Sequence, residues 1–502
     1  MTRRPADSST RSAGIFQKFN LNLFNMRRII ISLTAAALFC IPAMAENLNA
    51  ATESAPAAEK NEPKKKKEVK YNDKGEIIKT GINLGPCPVV AFDADRGFQY
   101  GALLNLYNFG DGSTYPNPKS TWYFEASAYT KGSYKFVVNY DNKAIFPGIR
   151  MSICTGYYGD KALDFYGFNG YQSIYDMDLL KPSFSFTDEK LQQKFDEKGK
   201  MPKGFYRYSR QQIKAKIDFT GKILENFFWE AGYNFMWNKI GSFKPDGYTV
   251  FAEEVEGGTT LYDLYRDWGV ISEDQANGGI ASSLRLGLMY DSRNVENNPT
   301  RGIWAEAHLV AAPKWLGTTH AHYKFGATMR QYIPLVPDKL TLAYRAAYEG
   351  FLGDAPWYMM PFYTNMGIKA DNDAFGGYNT VRGLMLNRVQ GLHTGFYNIE
   401  MRWRFIDFSL FNQNIAFALS AFNDGAHVFK PYGTLKNETG KHQELYKKFV
   451  DADRKRDGYH GSAGAGLRFI MNENFIIAFE YARCFNKQDG NGAFYINTGF
   501  LF

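Results

Sequence analysis

The sequence is poor in cysteine, in long apolar runs and in catalytic spacings. Four Cys in 502 residues are too few for a disulfide scaffold, and no C-x-x-C pair offers metal spacing. Cys40 falls in a segment read below as removed, which leaves Cys87, Cys154 and Cys484, enough for one bridge at most. The several apolar runs of about 20 residues that a helical membrane bundle needs are missing. Disorder is excluded from the opposite direction, because 45% of the residues are hydrophobic and only 22% charged. The formal charge of +8 is no basic face either. Residues 1–70 hold 12 Lys/Arg and 6 Asp/Glu, leaving 47 basic and 45 acidic residues in the body, so a nucleic-acid partner has no electrostatic basis.

Catalytic sets are absent too. No G-x-S-x-G elbow is present; His460-Gly461-Ser462-Ala463-Gly464 comes near, with His where the first Gly belongs. His320 and His322 share a strand face at i, i+2, but no third ligand accompanies them at useful spacing, so they read as girdle or loop-facing histidines. Asp371, Asp373 and Gly376 faintly resemble a calcium-binding run that lacks its closing Glu. Glu253, Glu254, Glu256, Asp263 and Asp267 read as a solvated loop, with divalent bridging to lipopolysaccharide as the alternative. The expectation is no enzyme, no cofactor and no metal.

What is abundant is aromatic: 41 Phe, 33 Tyr and 8 Trp, 16% of the chain, alongside 47 Gly. A large β-structure with one apolar and one polar face has this composition. At the front, Met26-Arg27-Arg28, the apolar stretch Ile29–Ile41 and Ala43-Met44-Ala45 form a secretory signal peptide over 1–45, with Met26 the expected start. Its removal takes the formal charge from +8 to +3. Bulky Phe39 before Cys40 disfavours lipoprotein processing. Residues 46–80 lack the aromatics of a core until Tyr71 and read as a disordered periplasmic linker, its Lys64–Lys67 run solvated rather than lipid-bound.

From 81 to 502 the dominant signal is period two. Candidate strands fall near 86–92, 98–108, 121–130, 133–141, 148–158, 207–219, 225–236, 281–291, 302–313, 319–332, 338–350, 394–405, 412–424, 460–471, 474–484 and 493–502. Sixteen is an even number, and most runs have the length that crosses a bilayer at a tilt. Short links near Asp141–Phe146, Gly221–Glu225, Pro337–Lys339 and Met471–Asn474 alternate with long ones at 159–206, 237–280, 351–393 and 427–459. The fold class is therefore all-β: a 16-stranded antiparallel transmembrane barrel with short periplasmic turns and long extracellular loops, embedded in outer-membrane lipid and lipopolysaccharide. Phe494, Ile496, Thr498, Phe500 and Phe502 share one strand face, which puts the terminal Phe502 outward. Phe500 and Phe502 are the candidate C-terminal barrel signal.

One segment is out of place in a solvated loop: Gly376-Gly377-Tyr378-Asn379-Thr380-Val381-Arg382-Gly383-Leu384, with Arg382 between apolar residues and glycines. It resembles the V-R-G-aromatic signature of the BamA/TamA family of outer-membrane assembly barrels, with Leu384 in place of the aromatic. Met360-Pro361-Phe362-Tyr363 resembles that family's approach to this loop. Asp291, Arg293, Pro299 and Gly302 are similar to its turn between strands eight and nine. The resemblance implies a sixth loop folded into the lumen, locked by Arg382 with Gly377 and Gly383 against Glu400 and Asp424 on two later strands. Strand parity agrees: Met401, Trp403 and Phe405 take one face, leaving Glu400 and Arg402 on the lumen side. It also implies assistance in insertion, assembly or export of outer-membrane proteins, with client or accessory proteins as partners and a weak seam between first and last strands. Pro86 and Pro88 would weaken that seam further, since proline donates no ladder hydrogen bond. About 35 residues separate Ala45 from the first strand, too few for one POTRA domain of the kind that family carries. The alternative is a channel or structural surface barrel without assembly activity.

Overall fold

The computed structural model describes residue 71 and residues 77–93, 97–130, 132–176, 204–243, 260–296, 298–364, 366, 372–373, 375–433, 443–473 and 475–502. The expected signal peptide, Cys40, Lys64–Lys67, Glu253, Glu254, Glu256 and Asp371 lie outside the described residues. Sixteen strands form one antiparallel sheet in strict chain order. They are β1 (Ile82–Asp93), β2 (Gly97–Asn108), β3 (Ser120–Tyr129), β4 (Tyr134–Phe146), β5 (Ile149–Asp164), β6 (Arg207–Leu224), β7 (Phe227–Ser242) and β8 (Gly278–Asp291), followed by β9 (Gly302–Ala312), β10 (His322–Val336), β11 (Leu340–Phe351), β12 (His393–Leu410), β13 (Gln413–Lys430), β14 (His460–Met471), β15 (Phe475–Cys484) and β16 (Ala493–Thr498). The three cysteines sit on β1, β5 and β15.

Alternation turns the usual protein inside out. On β8, Leu284, Leu286 and Leu288 are exposed while Ser283 and Arg285 are buried, Arg285 at 1% exposure against 64% for Leu286. On β12, Met401 and Trp403 point out, and Glu400 and Arg402 point in. A wall apolar outside and charged inside is stable only with hydrocarbon around it.

Several strands extend beyond their expected limits. β5, β6 and β7 run 16, 18 and 16 residues; β5 and β7 continue their ladders with β6 past the expected ends toward the long loops, whereas β6 gains its extra residues at the short turn before β7. The link expected at Asp141–Phe146 is instead the end of β4, which pairs irregularly between Asn142 and Phe146. At the same end of the barrel as the long loops, Phe165, Tyr265, Trp357 and Tyr446 are buried in one apolar cluster drawn from four different loops. Phe165 and Tyr265 meet edge to face at 5.2 Å, and Trp268 meets Tyr446 in the same way at 5.1 Å. Such pairs add roughly 0.5–1.5 kcal/mol each beyond area burial, so the four loops cohere as a cap over the mouth.

The last strand corrects the expectation most. β16 ends at Thr498, not at 502, and Phe502 is buried, not outward. Gly499, at φ +86°, takes a left-handed turn that only glycine makes without strain, and the last residues leave the ladder for the lumen. Leu501 and Phe502 pack there on Tyr332 and Ala343. Two guanidiniums face the Phe502 ring, Arg402 at 5.0 Å and Arg345 at 5.1 Å. Phe500 is stacked under Arg402 at 4.2 Å and Arg468 at 4.8 Å. Period two could not register a single glycine that rotates the chain out of its strand.

Candidate functional site

The loop between β11 and β12 descends into the barrel and ends on the inner wall of β12–β16. Glycine makes the descent possible at two points. Gly376 has φ +115°, and a Cβ there would stand 2.2 Å from the Met385 carbonyl; Gly383 has φ +90°, and its Cβ would stand 2.9 Å from that of Ala482. The expected glycine Gly377 also has positive φ, +77°, and its N–H bonds the Leu384 carbonyl. Leu384 itself is buried with Val381 and Val389 against Phe396 and Val428, so an aliphatic side chain fills the place of the missing aromatic.

At the tip, Arg382 is fully buried. Its Nε and Nη2 donate to the two oxygens of Asp424 at 2.8 and 3.0 Å, and its backbone N–H reaches Asp424 Oδ2 at 3.1 Å. Its Nη1 donates to Glu400 at 3.2 Å and to Glu480 at 2.7 Å. The guanidinium carbon lies 3.4 Å from the centroid of the Phe422 ring, a cation–π contact on a face of the group, while the carboxylates take its N–H edges. Around it, Arg468 pairs with Glu480 at 2.6 Å and with Glu400 at 2.9 Å, and Arg402 pairs with Glu400 at 3.3 Å. Three arginines face three carboxylates, so the cluster is neutral as a unit. A fork of donors that meets two acceptors in plane is a task for Arg, not Lys.

The structure therefore brings Arg382, Glu400 and Asp424 together. Sequence reasoning missed Glu480, Arg468 and Arg402 as members. Parity contained the signal: Glu480 alternates with Phe479 and Tyr481 on β15, which puts it on the inner face beside the small residues Ala478 and Ala482. Also missed was Tyr495 on β16, whose hydroxyl accepts the Gly383 N–H at 3.0 Å. Ser462, from the near-elbow sequence, hydrogen-bonds the Arg382 carbonyl and serves the loop.

The four family-turn residues lie at the short-turn end, from Asp291 at the end of β8 to Gly302 at the start of β9. Arg293 chelates Asp291 through Nε and Nη2 at 2.9 and 2.7 Å, Pro299 is buried, and Gly302 has φ +106° with no room for a Cβ against the Ser292 carbonyl. From this turn Glu296 reaches Arg150 at 3.0 Å and Lys143 at 3.1 Å, while Asn298 donates to Glu473 at 2.5 Å. The turn thus spans from the β4–β5 side to the β14–β15 turn across the barrel floor.

Other candidates are dispersed. His320 meets Tyr358 at 2.9 Å and Asp274 at 3.2 Å, while His322 turns to the His320 carbonyl, so the pair converges on no shared point. Asp373 pairs through its backbone with Phe362. Asp263 caps the short helix Leu261–Asp267 with Thr260. Among the described residues no group of three His, Cys, Asp or Glu is placed to hold a metal. His460 joins a separate loop clasp: Nδ1 faces Asp489 at 2.7 Å, Nε2 faces Asp457 at 3.1 Å, and Tyr171 stacks on the ring at 4.0 Å.

A family model for the Omp85 superfamily domain matches residues 158–502. The chain belongs to the Omp85 superfamily. This Omp85 barrel is thereby an integral outer-membrane protein, and its inward loop with Arg382 lies within the matched span. Among solved structures it is similar to BamA from Haemophilus ducreyi lacking POTRA domains 1–3, at 16% identity, covering 83% of this chain and 69% of that one, with a TM-score of 0.46. It is also similar to CdiB from Escherichia coli (10% identity, 86% and 66% covered, TM-score 0.46) and CdiB from Acinetobacter baumannii (13%, 85% and 61%, TM-score 0.41). No curated protein sequence matches it.

Proposed function

We propose that this Omp85 barrel assists the insertion, assembly or export of other outer-membrane proteins, together with accessory proteins. The observation that carries the reading is the seam. Every ladder among the described residues joins neighbours in chain order, so β1 and β16 are the two ends of the sheet and no ladder closes them on each other. Pro86 and Pro88 remove donors from β1, and β16 pairs with β15 over six residues only. A wall with one weak line parts there at the lowest cost, opening the lumen sideways to lipid, while the Arg382 cluster holds the remaining wall around the inward loop. A cysteine introduced on each of β1 and β16, oxidised in cells, is expected to lower the level of assembled outer-membrane proteins, with recovery on reduction. Unchanged levels under a complete crosslink would sink the proposal.

A channel without assembly activity is the second reading, supported by the charged inner wall of Arg210, Lys214, Lys216, Asp218 and Arg285. It predicts steady single-channel conductance and no client defect on depletion.

A further inference from the structure

Beneath the seam, at the short-turn end, the chain entering β1 touches a strand on the far side. Gly81 is bound into the β2–β3 link by two backbone hydrogen bonds, its N–H to the Gly110 carbonyl at 2.7 Å and its carbonyl to the Phe109 N–H at 2.8 Å. Residues 77–81 therefore move with β1–β3. Ile77, four residues upstream and buried, gives its N–H to Asn414 Oδ1 at 3.2 Å and takes Asn414 Nδ2 on its carbonyl at 3.3 Å. One amide side chain thus satisfies both backbone groups of Ile77, as a neighbouring strand would. The same Nδ2 lies 3.3 Å from the Tyr115 hydroxyl in the β2–β3 link, and Lys79 Nζ donates to the Asn412 carbonyl at 2.6 Å.

Asn414 belongs to the other side of the gap. It is the second residue of β13, and its backbone N–H and carbonyl are held by Asn472 in the β14–β15 turn at 3.1 and 2.8 Å. Around the sheet, β14, β15, β16 and the seam all lie between Asn414 and β1.

We infer that residues 77–81, clipped to Asn412 and Asn414, are a strap that restrains the seam from the periplasmic rim. The inference rests on the reading that the seam opens. When β1 and β16 separate, the β1–β3 side and the β13–β15 side move apart at this rim, and the strap contacts must stretch or break. The strap therefore biases the barrel toward the narrow seam, and anything that draws residues upstream of Ile77 away from the rim releases it. The bond count is small enough for such release, because each hydrogen bond is weak net of its exchange with water.

Hydrogen exchange by mass spectrometry on the full chain in lipid nanodiscs tests this. Asn414→Ala is expected to speed amide exchange about tenfold in β1 and β16, as well as in residues 77–81. An Ile77→Cys/Asn414→Cys disulfide is expected to slow exchange in β1 and β16 relative to its reduced form. Faster exchange in 77–81 with β1 and β16 unchanged would overturn the restraint, and no change in 77–81 would overturn the contact itself. Retention of the heat-dependent gel shift confirms that each variant still forms the barrel. No client is needed for this readout, so failure of the assembly reading, seen as unchanged client levels in seam-locked cells, is separable from failure of the strap.

Discussion

Arg402 on β12 donates from Nη2 to the main-chain oxygen of Phe502 at 3.0 Å. The tail that follows β16 is therefore held on the inner wall of β10–β12 and is withheld from the seam.

A carboxypeptidase reads that contact directly. The wild-type barrel in detergent is expected to keep Phe502, since the residue is buried. Arg402→Ala, which removes the donor and one of the two stacked guanidiniums, is expected to lose Leu501 and Phe502 at least tenfold faster by intact mass. Equal resistance in the variant would mean that Tyr332, Ala343 and Arg345 hold the tail without Arg402.

Arg382→Ala strands Asp424, Glu400 and Glu480 with two arginines for three carboxylates. Breaking a buried ion cluster from one side costs about 3–5 kcal/mol, so the temperature of the gel-mobility shift is expected to fall. Arg382→Lys keeps the charge but not the fork and is expected to lie between the two. An unchanged shift temperature in Arg382→Ala would refute the lock.

Gly383→Ala tests the loop's approach separately from its charge. A left-handed φ and a Cβ in contact with Ala482 cost about 1–3 kcal/mol together. The expected outcome is a lower shift temperature with Arg382 intact, and proteolytic cleavage within 376–384. Wild-type resistance would show that the wall yields at Ala482.

The floor turn sets a pH dependence. Burial works against ionisation of Glu296, but Arg150, then Lys143 and Arg293, outweigh it and hold the carboxyl at about 2, below its ordinary 4.5. A carboxylate depressed on folding contributes stability that is complete above its unfolded pKa and is lost as pH falls through the folded one. The window is therefore from about 4.5 down to about 2. Between about pH 6 and pH 2.5, the wild type is expected to lose more thermal stability than Glu296→Gln, and equal losses would remove Glu296 from the floor.

Much of this was written in local pattern. Strand number, chain order and the inward parity of Glu400 follow from period two, because lipid and lumen impose opposite polarity on alternate residues. Arg382 was visible as an arginine between glycines, and the superfamily match covers it. The Asp424 pairing needed the resemblance to name the partner. Its geometry, with three donors on one carboxylate, did not follow from either.

By itself the sequence determined the wall: sixteen alternating runs, their short and long links, and a lumen lined with charge. Tertiary structure alone decided what crosses that wall's interior. Glu480 joins Arg382 from 98 residues away, Glu296 meets Arg150 from 146, and Asn414 meets Ile77 from 337. Such contacts depend on the sheet curling around on itself, which sets strands far apart in sequence across a narrow lumen. Nothing in the spacing of residues along one strand records what faces it from the other side. Phe502 shows the same limit at its smallest scale, since one left-handed glycine reverses the face that alternation assigns.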